Sequence, residues 1–308
     1  MKPSVLFALL FACAVPALAQ SPATPPNRFA TASAPAERFD IQGMLVERHG
    51  SGARAMVLIP GLASGGWVWQ ETVREFAKDY TLYVVTLPGF DGRPALAGNP
   101  FDAAKAALTE LIAARRLVKP VLVGHSVGAT LSIALGEDLG ERIGGVVALD
   151  GLPVFPRTED MPPEQRATMA ESFRQRMAAA TPQAFAAQQQ QYMRAVGVID
   201  IGKADDLARL TARSDPAAAA AYAGAVLALD LRPGLPKLRA PVLALVPSYD
   251  PDNVAMGGTA NDKLAYYRSL MAGTPKLDVV LIDNARHFAM LDQPRAVHDA
   301  LRQFLKTL

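Results

Sequence analysis

The 308-residue chain is half hydrophobic and carries a formal net charge of +2, enough apolar material for one large core or two modest ones. Its 31 basic and 29 acidic residues are interspersed, so no basic stripe forms and nucleic acid is excluded as a partner class. The one cysteine, Cys13, falls in the first segment, and a chain trimmed beyond it would have no disulfide, thiolate metal site or cysteine nucleophile.

That first segment, MKPSVLFALLFACAVPALAQ, has the form of an export signal. Lys2 supplies the positive end, Val5–Val15 the apolar stretch, and Ala17-Leu18-Ala19 a small-residue cleavage site. It predicts a signal peptide over 1–19, a periplasmic or secreted protein, and no stable membrane insertion after cleavage. The apolar stretch is short for a span. The alternatives are an uncleaved anchor and a lipid on Cys13, to which Phe11-Ala12 is poorly suited. Residues 20–36 are rich in Pro, Ala, Ser and Thr and predict a flexible lead-in.

Residues 38–50 alternate around a glycine and predict a hairpin or an antiparallel strand. Six short apolar runs follow: Met56–Ile59, Tyr80–Leu87, Val121–Gly124, Val146–Leu149, Val242–Val246 and Leu277–Ile282. Each is apolar on both faces, as buried parallel strands are. Between most of them lie amphipathic segments, at 100–116, 127–139, 262–272 and 293–306. This alternation predicts an α/β fold with a doubly wound, mostly parallel sheet. The rhythm breaks at 151–235, where four helical stretches (163–179, 182–196, 203–213 and 216–229) predict an inserted helical cap. The sheet domain is then 37–150 and 236–308.

Gly124-His125-Ser126-Val127-Gly128 stands between the Val121 strand and the helix that opens at Val127. A serine held in a strained strand–helix turn has its hydroxyl lifted clear of the chain, and the flanking glycines remove side chains that would collide at the crossing. This strand–turn–helix context makes Ser126 a candidate nucleophile.

The chain resembles the α/β-hydrolase family over nearly all of residues 40–306. The motifs that carry the resemblance are VLIPGLASGGWVW (57–69), TLPGFDGRP (86–94), GHSVG (124–128), LALVPSYDPD (243–252) and LIDNARHFAMLDQP (281–294). The first departs from the family's usual His-Gly in having Pro60-Gly61. The resemblance implies a catalytic Ser…Asp…His order. Of four histidines, His287 follows the last strand in a loop from which its ring could reach Ser126, and it is the expected base. The resemblance places the acid at Asp250, at the end of the fifth parallel strand. Asp150, one strand earlier, is the alternative, because some family members carry the acid there. The oxyanion donors are expected to be the N–H groups of Val127 and Leu62, with Gly61 and Ala63 as substitutes for the second.

Trp67 and Trp69 either wall a substrate pocket or pack the first helix on the sheet. Met169 and Met193 in the insertion are candidates for a pliable apolar wall. No His/Asp/Glu group has metal-ligand spacing and no Gly-rich phosphate loop is present, so neither metal nor cofactor is expected. The sequence therefore predicts a secreted serine hydrolase that cleaves a carboxylic ester of a small or medium apolar molecule through an acyl-enzyme. Amidase, lactonase and carbon–carbon hydrolase are the alternatives on the same triad. A non-catalytic ligand-binding protein on this fold is the alternative from another class.

Overall fold

The computed structural model describes Phe29 and residues 33–308, so the expected signal peptide, Cys13 and most of the lead-in lie outside the described residues. Among the described residues no helix is long and apolar enough to cross a membrane.

The 38–50 segment is a hairpin of β1 (Glu37–Ile41) and β2 (Met44–His49). The chain then runs through β3 (Arg54–Ile59), a 3₁₀ turn at Gly66–Trp69, α1 (Gln70–Phe76), β4 (Tyr80–Thr86), α2 (Pro100–Ala114), β5 (Val121–His125), α3 (Val127–Leu139) and β6 (Gly145–Leu149). Four helices follow before the sheet resumes: α4 (Pro163–Ala178), α5 (Pro182–Tyr192), α6 (Ile201–Thr211) and α7 (Pro216–Ala228). The last part holds β7 (Val242–Ser248), α8 (Asp250–Ala255), α9 (Ala260–Leu270), β8 (Leu277–Asp283), α10 (Ala289–Asp292) and α11 (Pro294–Lys306).

The eight strands form one sheet in the order β1-β2-β4-β3-β5-β6-β7-β8, antiparallel across the first two pairings and parallel thereafter. This is the doubly wound architecture that the strand–helix alternation predicts. Because successive strand residues point to opposite faces, each parallel strand feeds two cores. Val57, Ile59, Leu122, Val146 and Val242 face one, with α2, α3, α7 and α9 supplying Leu108, Leu135, Tyr222 and Leu270. Met56, Leu58, Val121, Val147 and Leu243 face the other, covered by Trp69, Phe76, Leu301 and Phe304.

The inserted helices form two pairs, α4 on α7 and α5 on α6, and they share in both cores through Tyr222 on one side and Leu207 on the other. Each of these helices starts where a proline or an acid favours a first turn. Thr181, Asp200 and Asp215 accept backbone N–H groups as N-caps of α5, α6 and α7, and Pro163, Pro182 and Pro216 occupy first-turn positions. The predicted 182–196 helix is interrupted. It ends at Tyr192 and opens into a wider, π-type turn over Met193–Gly197.

Candidate active site

Ser126 joins β5 to α3 with φ +53° and ψ −120°, a conformation a serine adopts only when its surroundings enforce it. They do so through the backbone: its N–H donates to Leu149 O at 2.9 Å, and its carbonyl accepts from Ala129 N–H at 2.8 Å. The flanking glycines are steric requirements. A Cβ on Gly124 would lie 2.1 Å from Gly128 O, and one on Gly128 would lie 2.4 Å from Ile59 O.

His287 stands in the loop after β8, and its Nδ1 lies 2.5 Å from Asp150 Oδ2. The imidazole's carboxylate is therefore Asp150 at the end of β6, the alternative considered above, and not Asp250. The reason is local. After Tyr249 the chain turns directly into α8, with Asp250 as its first residue and Pro251 fixing the first turn, which leaves Asp250 exposed. Asp150, at φ +46°, is turned inward and accepts the Tyr267 O–H on its other oxygen. Burial works to raise the Asp150 carboxyl. The facing His287, Lys263 and the Tyr267 hydroxyl outweigh it and hold the pKa at about 2. The same carboxylate, with burial, pushes the Tyr267 phenol well above its ordinary value.

His125 packs behind the His287 ring. Its Nε2 is 2.9 Å from the His287 carbonyl oxygen, and the two rings lie 4.5 Å apart. A carbonyl only accepts, so Nε2 carries the proton and Nδ1 is bare, buried and unpartnered. Burial and the neighbouring His287 hold the His125 pKa well below the ordinary imidazole value, so this ring stays neutral. Gly61 closes over it, and a Cβ there would meet His125 Nδ1 at 2.7 Å and Ser126 Cβ at 3.1 Å. The Pro60-Gly61-Leu62 loop thus lies against the serine turn. Among the described residues, neither the Leu62 nor the Val127 N–H donates to a protein acceptor.

The expected pocket residues are placed otherwise. Trp67 and Trp69 are buried in the core against α1 and α10 (Trp69 is 1% exposed), because the 3₁₀ turn that carries them packs back onto β3 and β4. Met193 is also core, 1% exposed with its Sδ against Gly197, while Met169 is half-buried on α4. The ring of the inserted helices that meets His287 is Tyr192, which no sequence signal singled out. Its ring meets His287 edge-on at 6.1 Å. It is 40% exposed, yet its protein surroundings and the Asp150 charge push the phenol pKa above its ordinary value. His298 is a packing residue, buried between Thr72 and Phe76.

A sequence model of the alpha/beta hydrolase family matches residues 56–300, which takes in all the parallel strands but the start of β3, the serine turn, Asp150 and His287. The chain belongs to the alpha/beta hydrolase family. This hydrolase is 31% identical over 117 residues to the pimeloyl-[acyl-carrier protein] methyl ester esterase of Aeromonas salmonicida, covering 38% of this chain and 45% of that one. It is 27% identical over 260 residues to the biotin biosynthesis bifunctional protein BioHC of Cellvibrio japonicus, covering 82% and 48%. The matches thus span about half the length of these relatives. Among solved structures, a thermophilic esterase from Thermogutta terrifontis superposes with a TM-score of 0.70 at 21% identity, covering 88% of this hydrolase and 99% of that chain. The enol-lactonase from Burkholderia xenovorans LB400 gives 0.68 at 17%, covering 88% and 100%.

Proposed function

We propose that this hydrolase cleaves a carboxylic ester of a small or medium apolar molecule through an acyl-enzyme on Ser126. The observation that carries this reading is the Asp150–His287 pair at 2.5 Å, set at the same edge of the sheet as a serine held at φ +53°. The esterase relatives support the choice of an ester.

On this reading the Ser126 hydroxyl attacks the ester carbonyl while His287 Nε2, the nitrogen opposite the one held by Asp150, takes its proton. The C=O π bond becomes an oxyanion that accepts from the Val127 and Leu62 N–H groups. Asp150 holds Nδ1–H in place and stabilises the imidazolium. Collapse of the tetrahedral adduct breaks the C–O bond, and the imidazolium protonates the leaving alkoxide. A water, deprotonated by His287, then releases the acid and restores Ser126. The inserted helices cover the site and shape the acyl pocket, with Tyr192 on its wall. The export signal read at 1–19 gives a protein that works in the periplasm or outside the cell, and it predicts a mature terminus near Gln20 by mass spectrometry.

The test is labelling by a fluorophosphonate probe together with turnover of p-nitrophenyl esters, lactones and anilides. Wild type should label and should turn over esters fastest. Ser126→Ala should do neither. A wild-type protein that neither labels nor hydrolyses any ester would leave a ligand-binding protein on a hydrolase fold.

A further inference from the structure

The residue before His287 ties the histidine loop to the inserted helices and to α8. Arg286 is 16% exposed, and its guanidinium forks onto Asp252, Nε to Oδ2 and Nη2 to Oδ1, each at 2.8 Å. Nη1 donates to Arg194 O at 2.9 Å and to Val198 O at 3.4 Å, and the guanidinium carbon sits 5.0 Å from the centre of the Tyr249 ring. The backbone N–H of Arg286 donates to Asp292 Oδ2 at 3.0 Å, and the Asp292 carboxylate also accepts the Ile199 N–H. The next two amides continue the seam: His287 N–H donates to Val196 O at 3.1 Å and Phe288 N–H to Gly197 O at 2.9 Å.

The sequence of causes starts in the cap. The wide turn over Met193–Gly197 ends a helix, so its last carbonyls point outward without intrahelical donors and with the negative end of the helix dipole. A planar cation with donors on several edges can meet such carbonyls and a carboxylate together. An ammonium group offers one point instead. As a stability element alone, a partly exposed ion pair contributes little. As a geometric element it is different, because Asp252 on α8 and carbonyls of the cap turn converge on one side chain, and the next backbone N–H, that of His287, donates to the same turn.

We propose that Arg286 is a positioning residue that locks the Met193–Gly197 turn of the cap to the histidine loop and thereby fixes where the imidazole stands. Cap placement and base placement are then a single variable. Loosening the cap turn moves the base, and Tyr192, the residue just before that turn, moves with it. The proposal rests on His287 being the base.

The experiment compares Arg286→Ala and Arg286→Lys with the wild-type chain, reading backbone hydrogen exchange, kcat and KM on p-nitrophenyl acetate, and rescue by added methylguanidinium. In Arg286→Ala the His287 and Phe288 amides should exchange faster, and kcat should fall about 100-fold with KM changed less. Methylguanidinium should restore part of the lost kcat in that variant and none in wild type. Arg286→Lys should fall between the two. A folded Arg286→Ala with unchanged exchange, or with kcat within about twofold of wild type, would overturn the proposal. If Arg286→Ala does not fold, Arg286→Lys is read by the same criteria. Turnover surviving in Ser126→Ala would instead sink the triad reading, and the exchange data would still report on the clamp.

Discussion

Asp150 and His287 meet by reaching over a strand: the carboxylate closes β6, the imidazole follows β8, and β7 lies between them in the sheet. The strand end that they bypass carries Asp250, exposed at the start of α8. Asp150→Asn should therefore lower kcat by about 10⁴-fold, since an amide holds the imidazole in the wrong tautomer. Asp250→Asn should stay within about twofold of wild type. Steady-state kinetics on one p-nitrophenyl ester decide the matter, and the reverse pattern would move the acid to β7.

Tyr267 donates to the Asp150 oxygen that His287 does not use. Tyr267→Phe removes a hydrogen bond to a charged acceptor, so kcat should drop roughly tenfold with little change in KM. The carboxyl pKa, held at about 2 in the intact site, should rise. The sign follows: a depressed carboxyl contributes stability that is complete above its unfolded pKa and is lost as pH falls toward the folded one. Both proteins should start to lose this contribution near the ordinary carboxyl pKa, and in Tyr267→Phe the loss should be smaller and end at a higher pH. Coincident acid-unfolding curves would remove Tyr267 from this role.

The serine turn should tolerate no side chain at Gly128. A Cβ there would press on the Ile59 and Pro60 carbonyl oxygens at 2.4 and 2.6 Å, backbone atoms that cannot swing aside. Gly128→Ala should displace the Leu62 segment as well as Ser126, lowering both thermal stability and fluorophosphonate labelling rate. Normal labelling in a folded Gly128→Ala would show that the crossing has more room than these distances allow.

On the proposed reading, Tyr192→Ala opens the acyl pocket beside His287, which the Tyr192 ring meets edge-on. The expected result is a shifted acyl-chain preference, with less change on p-nitrophenyl acetate than on longer esters. Met193→Ala, by contrast, empties a core position and should act mainly on stability, by about 2–5 kcal/mol. A uniform loss across all chain lengths in Tyr192→Ala would make it a support of His287 and not a pocket wall.

Far from the site, half-buried Glu137 has its carboxyl pushed up to about 7 by burial and the neighbouring Asp138 charge, against Lys237 and Lys105. A raised carboxyl favours the folded state while protonated, so stability should decline as pH climbs from about 4.5 toward 7. Glu137→Gln should relieve this, adding about 1 kcal/mol at pH 8 after allowance for solvent screening at a half-exposed group, and nothing at pH 4. Denaturant melts at the two pH values measure the difference.

Much of this was legible in the sequence for identifiable reasons. Buried parallel strands are apolar on both faces, and β3 to β8 coincide with the apolar runs to within two or three residues. Gly-x-Ser-x-Gly between a strand and a helix leads directly to Ser126, and the loop after the last strand to His287. The carboxylate was harder, because Asp150 and Asp250 each end a parallel strand and each is followed by a turn. Which one faces the imidazole depends on a positive φ at Asp150 and on the early start of α8, neither of which has a local signal as strong as Asp-Pro. Trp67 and Trp69 next to the Gly61 loop suggest a pocket by proximity. Their burial follows from a 3₁₀ turn whose direction no periodicity encodes. Arg286 had a readable hint, a cation beside the expected base with Asp252 and Asp292 in flanking segments.

Asp150 ends β6, and the helical insertion leaves the sheet at the very next residue, Gly151, where a Cβ would lie 2.4 Å from Ser126 O and from Ala129 Cβ. The inserted helices thus leave the sheet from the carboxylate that holds His287. A cap borrowed from a relative and spliced in here would transmit its pull to a backbone already held at φ +46°. A redesign of the insertion should therefore act on the backbone that carries Asp150 as well as on the helices themselves.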